Sequence, residues 1–99
     1  MTEDTLTVIA RIKARPNKVG ELLSALTSLL EPTRKEPGCL SYVLLQNNED
    51  PTDFAFVEEW QSNAALESHF TTKYFKDALS TLPNLLAAEP DIRRYHVAS

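Results

Sequence analysis

Two neighbouring stretches of this 99-residue chain, residues 39–47 and 53–61, are apolar on both faces of an extended backbone. Successive side chains of a strand point to opposite sides. In the first stretch Leu40, Tyr42 and Leu44 share one side, and Val43 and Leu45 the other. In the second, Phe54, Phe56 and Trp60 share one side, and Ala55 and Val57 the other. Such strands must be covered twice. Helices can cover one face of a sheet, but the second face then needs another partner. Burying one apolar side chain is worth about 1.5–3 kcal/mol, so a bare second face is a poor resting state and marks an interface.

The flanking sequence supplies the remaining elements. Leu6, Val8, Ala10, Ile12 and Ala14 alternate with Thr7, Ile9, Arg11 and Lys13, the period of a strand. Arg15-Pro16-Asn17 ends it, with Asn17 expected as a helix N-cap. Val19, Leu22, Leu23, Leu26, Leu29 and Leu30 follow a helical period. Pro32 then stops or kinks that helix, and Pro37-Gly38 is a turn. Residues 47–52 form a polar hairpin loop. Residues 63–70 and about 73–82 read as a broken helical hairpin or kinked helix, interrupted near Thr71-Thr72. An apolar connection over residues 82–86 leads to a last strand at 92–97, with Tyr95 and Val97 opposite Ile92, Arg94 and His96. The order β-α-β-β-α-β predicts an α+β, ferredoxin-like fold with an antiparallel sheet and helices on one face. A second copy of the chain, sheet against sheet, is the economical cover for the other face, so a homodimer is expected.

Bulk properties narrow the function. Length predicts one domain over residues 1–99. A net charge of −4 gives no electrostatic reason to bind nucleic acid or an anionic membrane. No apolar run approaches the roughly 20 residues that span a bilayer, and the acidic opening MTEDTLTV is unlike a signal peptide. Cys39 is the single cysteine and has no base beside it in sequence, so it reads as a structural thiol in a reducing, cytoplasmic setting. His69 and His96, the only histidines, lack metal-ligand spacing, and with only Gly20 and Gly38 the chain has no glycine-rich nucleotide loop. Neither a metal nor a cofactor is expected.

The chemistry-bearing residues cluster in residues 54–75, where a strand ending Glu58-Glu59-Trp60 meets Ser62-Asn63 and a short helix. His69, beside Leu66 and Phe70, should face the sheet and has the pKa range of a general base; otherwise it is a hydrogen-bonded helix-face histidine. Trp60 is either an apolar wall for a flat substrate or core packing. Glu58 has the strand parity of Trp60. Facing inward, it is a buried carboxylate that needs a partner or a raised pKa. Tyr74 can donate to a substrate oxygen or lie on the helix surface. Phe56, Phe70 and Tyr42 line a pocket or fill the core. Arg34, Arg93 and Arg94 are candidates for salt bridges between copies, and Arg11 either reaches an anionic substrate or, the stronger reading, is a solvated strand-edge charge.

Leu6-Thr7-Val8-Ile9-Ala10 with Arg15-Pro16, Glu31-Pro32-Thr33-Arg34 with Glu36-Pro37-Gly38-Cys39-Leu40 and Tyr42, and Glu58-Glu59-Trp60 followed by Ala65-Leu66-Glu67 and His69-Phe70 occur in order. Together they resemble the antibiotic biosynthesis monooxygenase family of dimeric α/β barrels, over nearly the whole chain. The resemblance implies that fold, a dimer, and a range of activities. Relatives include cofactor-free monooxygenases of hydroquinones and polyphenols, haem-degrading enzymes and a sugar-phosphate isomerase. Many quinol-oxidising relatives carry a second His five residues after the first; here that position is Tyr74, preceded by Lys73. The haem-degrading branch needs a first-strand Asn and a His further into the second helical region; the first strand here has no Asn and residues 75–82 no His, so of the branch's Asn, Trp and His triad only Trp60 matches. The resemblance therefore implies a cofactor-independent monooxygenase acting on a small aromatic substrate with O2. His69 would be the base, Tyr74 a donor, and Trp60, Glu58, Phe56, Phe70 and Tyr42 the substrate-binding residues. An isomerase of the same superfamily, or a non-catalytic ligand-binding or stress-response dimer, remains the alternative.

Overall fold

A computed structural model describes residues 5–99. Four strands, β1 (Leu6–Lys13), β2 (Cys39–Asn47), β3 (Asp50–Trp60) and β4 (Asp91–Tyr95), form one antiparallel sheet in the order β2-β3-β1-β4. Four helices, α1 (Val19–Thr27), α2 (Leu30–Arg34), α3 (Asn63–Phe70) and α4 (Lys73–Thr81), connect them. This is the ferredoxin-like α+β arrangement. Residues 1–4, the start of the acidic N-terminal segment, lie outside the described residues.

The alternation in β1 sends Leu6, Val8, Ala10, Ile12 and Ala14 to the buried side, where Leu22, Leu26, Leu29 and Leu66 of the helical layer meet them. In β3 the same side carries Phe54, Phe56, Glu58 and Trp60. The opposite side bears Val43 and Leu45, 42% and 49% exposed, with Tyr95 at 43%. The asymmetry read from the strands is therefore real: one face is packed by helices and the other is open.

Four details differ from expectation, each for a physical reason. Asn17 makes no cap. The N-cap is Lys18, without a capping side chain, and its ammonium meets Glu21 of the first turn at 3.2 Å instead. The β2–β3 turn is only Asn48-Glu49, because Asn47 pairs with Asp50. Asn47 Oδ1 accepts from Glu49 N at 2.8 Å, and Asp50 Oδ1 accepts from Thr52 N at 3.0 Å, so polar side chains close a tight turn where the sequence predicts a loop over residues 47–52. Pro51 is tolerated there because it follows the register shift between Gln46 and Asn47. Leu40 does not join Tyr42 on the inner face but is 57% exposed, since Leu40 is the extra residue of a bulge between Cys39 and Ser41. Finally, β4 stops at Tyr95, which pairs with Thr7; His96 would fall opposite Leu6, the first residue of β1, and Val97 beyond it.

The helix after β1 breaks at Ser28-Leu29, four residues before Pro32. Proline has no N–H for the Ser28 carbonyl, and its ring crowds that carbonyl. The restarted turn, α2, brings Thr33 fully into the interior. After α4, a 3₁₀ turn over Leu82–Asn84 docks on the end of β1, where Arg15 N donates to Leu85 O at 2.9 Å and Ala87 N to Lys13 O at 2.9 Å.

Candidate active site

The inner face of β3 sets the floor of the site. Its alternation aims Phe56, Glu58 and Trp60 at the helical layer, and the register places Glu58 between Tyr42 of β2 and Val8 of β1. Tyr42 stacks on Phe56 with ring centroids 4.7 Å apart. Helix α3 is the roof. Ser62 caps it, its Oγ accepting from Ala65 N at 3.1 Å, and from that start His69 points inward and is 1% exposed. Its imidazole lies 4.9 Å from the Trp60 ring, 5.8 Å from Tyr42 and 4.6 Å from Phe75.

His69 is gripped by a residue that the sequence did not single out as a site residue. Its Nδ1 is 2.7 Å from Glu36 Oε2. The Tyr74 hydroxyl donates to the same oxygen and lies 3.3 Å from Thr33 Oγ1. A carboxylate accepts and does not donate, so its contact with Nδ1 puts the imidazole proton there and leaves Nε2 as the acceptor nitrogen. Glu36 stands on the turn after α2, which is tied down at both ends. Cys39 N donates to Glu36 O at 3.1 Å, and Gln61 N donates to Gly38 O at 2.8 Å. Gly38 is required here, because a Cβ would collide with Ala65 of α3. Arg34 Nε donates to Tyr42 O at 2.9 Å, so that guanidinium is used within the chain. In the sequence Pro37-Gly38 reads as a turn and Glu36 enters only the motif that leads into β2; the carboxylate immediately before that turn is the signal that points to it.

Glu58 does face inward and is 5% exposed. Trp60 Nε1 donates to its Oε1 at 2.9 Å. Burial pushes the Glu58 carboxyl up to about 7, with the indole hydrogen bond opposing. Burial also pushes the Tyr42 phenol well above its ordinary value, and the charge of Glu58 adds to that. Cys39 is half-buried, and burial raises its thiol too, with the charge of Glu36 contributing, so it is poorly suited to act as a nucleophile.

Between floor and roof lies an apolar cavity of about 40 Å³. Tyr42, Phe56, Glu58, His69 and Phe70 line it together with Phe75 and aliphatic side chains such as Leu29 and Leu82. Five of the seven predicted site residues thus meet at one cavity. Trp60 stands behind it, fully buried, in contact with both Glu58 and His69. Tyr74 also stands behind it, holding Glu36. Arg93 and Arg94 pair within the chain, with Asp91 and Glu67, and Arg11 with Asp53. Among the described residues, no three metal-ligating side chains gather at one point. No helix among them is long and apolar enough to cross a membrane.

Comparison with known proteins gives a consistent result. Residues 5–81 match the family model described as antibiotic biosynthesis monooxygenase. The uncharacterized Synechocystis protein sll1783 is 36% identical over 96 residues; the match covers 97% of this chain, which spans only 65% of that protein's length. The Bacillus subtilis protein YcnE, whose name marks it as a candidate monooxygenase, is 33% identical over 86% of this chain and 90% of its own. The crystal structure of PA3566 from Pseudomonas aeruginosa superposes with a TM-score of 0.93 at 33% identity, covering 100% of this chain and 99% of that one.

Proposed function

The chain belongs to the antibiotic biosynthesis monooxygenase family, and from that premise we propose that it oxidises an electron-rich phenol of the hydroquinone class with O2 and without a cofactor. The carrying observation is the 2.7 Å contact between Glu36 and His69 Nδ1 beside an apolar cavity. Triplet oxygen reacts slowly with a neutral closed-shell molecule, whereas a phenolate can give up one electron directly. His69 Nε2 takes the hydroxyl proton, and Glu36 stabilises the imidazolium that results. One oxygen atom of O2 enters the ring and the other leaves as water, with the four electrons drawn from the hydroquinone, which ends as a hydroxyquinone.

The cavity is small for this task. At about 40 Å³ it falls short of the roughly 150 Å³ that accepts a benzene ring. Helix α4 is the wall suited to yield, since none of its residues is buried. Oxygen uptake by the purified protein with a reduced quinone is the test. Turnover of a substrate with no oxygen consumed would replace oxidation with isomerisation, and no turnover at all would leave a binding protein.

The reading includes a homodimer. Ile9, Val43, Leu45, Val57 and Tyr95 share the open sheet face, and no helix covers them. A second sheet laid on this face hides that surface from water. Sedimentation at micromolar concentration should give a dimer of the 11.1 kDa chain, and a stable monomer would refute it.

A further inference from the structure

Two carboxyl groups serve the site in opposite settings: Glu58 lines the cavity, and Glu36 reaches it only through His69. Glu36 is built to accept, taking hydrogen bonds from His69 Nδ1 and Tyr74. Glu58 receives one hydrogen bond, from Trp60 Nε1, and takes part in no ion pair among the described residues. The titratable groups near it are Tyr42 and Cys39 from β2 and His69 from α3, with Glu36 beyond them on His69; Val8 of β1 is apolar. Arg94 on β4 is held by Asn63 and Glu67. A carboxyl group buried with one neutral donor and no cation favours its protonated form. In that form it has an O–H to give.

We propose that Glu58 is a second proton-handling group of this cavity, donating its carboxyl O–H to the oxyanion of a bound phenol, while Glu36 acts on His69 alone, orienting it and stabilising its imidazolium. This rests on the oxidation reading above for its ligand class. In the step, the phenol O–H bond breaks and its proton passes to His69 Nε2. The Glu58 proton stays on its carboxyl, shared with the new oxyanion, and no electron moves. The pair divides the work between a base that removes the proton and an acid that holds the negative charge where it forms. Burial supports the division, since it raises Glu58 to about 7 and leaves it largely neutral below that pH.

Trp60 is the only tryptophan of the chain, and its indole N–H is bonded to Glu58. Its emission in the full chain should therefore titrate near neutral pH. The titration should survive in His69→Gln and vanish in Glu58→Gln. Loss in the histidine variant with retention in the glutamine variant at 58 would overturn the proposal. If Glu58→Gln fails to fold, the infrared band of a protonated carboxyl in the ¹³C-glutamate-labelled parent decides: present at about pH 6 and gone at about pH 9, or else the proposal is wrong. Binding is read with 2,4-dinitrophenolate, already an anion across this range. The parent should bind it at least about tenfold more weakly at about pH 9 than at about pH 6, the loss of one charge-assisted hydrogen bond. Glu58→Gln retains an N–H donor and should bind it almost equally at both. The same pH dependence in both proteins, or no binding, would overturn the role of Glu58. Absence of oxygen uptake with quinols, alongside the predicted binding, would reject oxidation and leave that role standing.

Discussion

Trp60 and His69 lie with ring centroids 4.9 Å apart, and each is hydrogen-bonded to a different glutamate, Glu58 for the indole and Glu36 for the imidazole. The two aromatic groups touch, yet their carboxyl partners come from different elements, Glu58 from β3 and Glu36 from the turn after α2. The first prediction follows from the imidazole half of this arrangement. His69→Ala should lower turnover by about 10²–10⁴-fold. Glu36→Gln keeps the shape but loses the negative charge, and should cost about 10–100-fold, chiefly in kcat, because the imidazolium is less stabilised. Steady-state kinetics of both variants, with the oligomeric state of each checked against the parent by sedimentation, make the comparison. Equal, small losses of activity with large losses of stability would mean that both residues are core.

Glu58 makes stability depend on pH. Its folded-state pKa is raised from 4.5 to about 7, so the native state holds a proton that the unfolded chain has already released between those values. The contribution is fully present below about 4.5 and is lost as the pH rises through about 7. The size is on the order of 3 kcal/mol. Denaturant unfolding should show the parent losing stability from about pH 5 to about pH 8, and Glu58→Gln changing less over that interval. Trp60→Phe removes the indole donor that opposes the shift, so its loss should begin at the same pH, which the unfolded chain sets, but continue to higher pH and be larger.

Gly38→Ala should destabilise the protein by about 1–3 kcal/mol, the usual cost of forcing a group into packed space. The new methyl group meets Ala65, and relief requires α3 to move away from the turn that bears Glu36. Activity should fall beyond what the stability loss explains. Gly20→Ala is the control, because nothing lies within 4 Å of a Cβ there. It should be neutral or slightly stabilising, as read by thermal melting.

Val57→Asp places a charge at the centre of the open sheet face, opposite Ile9 and Val43. Sedimentation should show monomer, with either retained or lost secondary structure by circular dichroism. Val43→Asp, nearer the sheet edge, should weaken the dimer less. A dimer unchanged by both substitutions would locate the contact elsewhere.

Much of the fold was legible because it rests on periodicity. The alternation of Leu6 through Ala14 and the helical spacing of Leu22, Leu26 and Leu29 each record one face meeting one core. The limits of β2 and the break near Thr71 were readable for the same reason. Features that depend on local exchange between side chain and backbone were not. The bulge at Leu40 shifts phase without changing composition, and the tight Asn48-Glu49 turn lies inside a polar run that reads equally well as a longer loop. In the site, His69 and Glu58 were visible from strand and helix parity. Glu36 was not, because nothing in sequence links it to His69. The link is made by Gly38 packing on α3, a contact between segments that no local pattern encodes.

The Glu36–His69 contact joins residues 33 apart in sequence, with the whole β2–β3 hairpin between them. The hairpin itself needs only a two-residue turn to close. Closing a short loop costs less entropy than closing a long one, and contacts between distant segments form slowly. During refolding the hairpin is therefore expected to assemble before α3 docks on it and completes the site. A kinetic interval separates a chain that has its strands from one that has its base, and quenching of Trp60 by the arriving imidazole would time it.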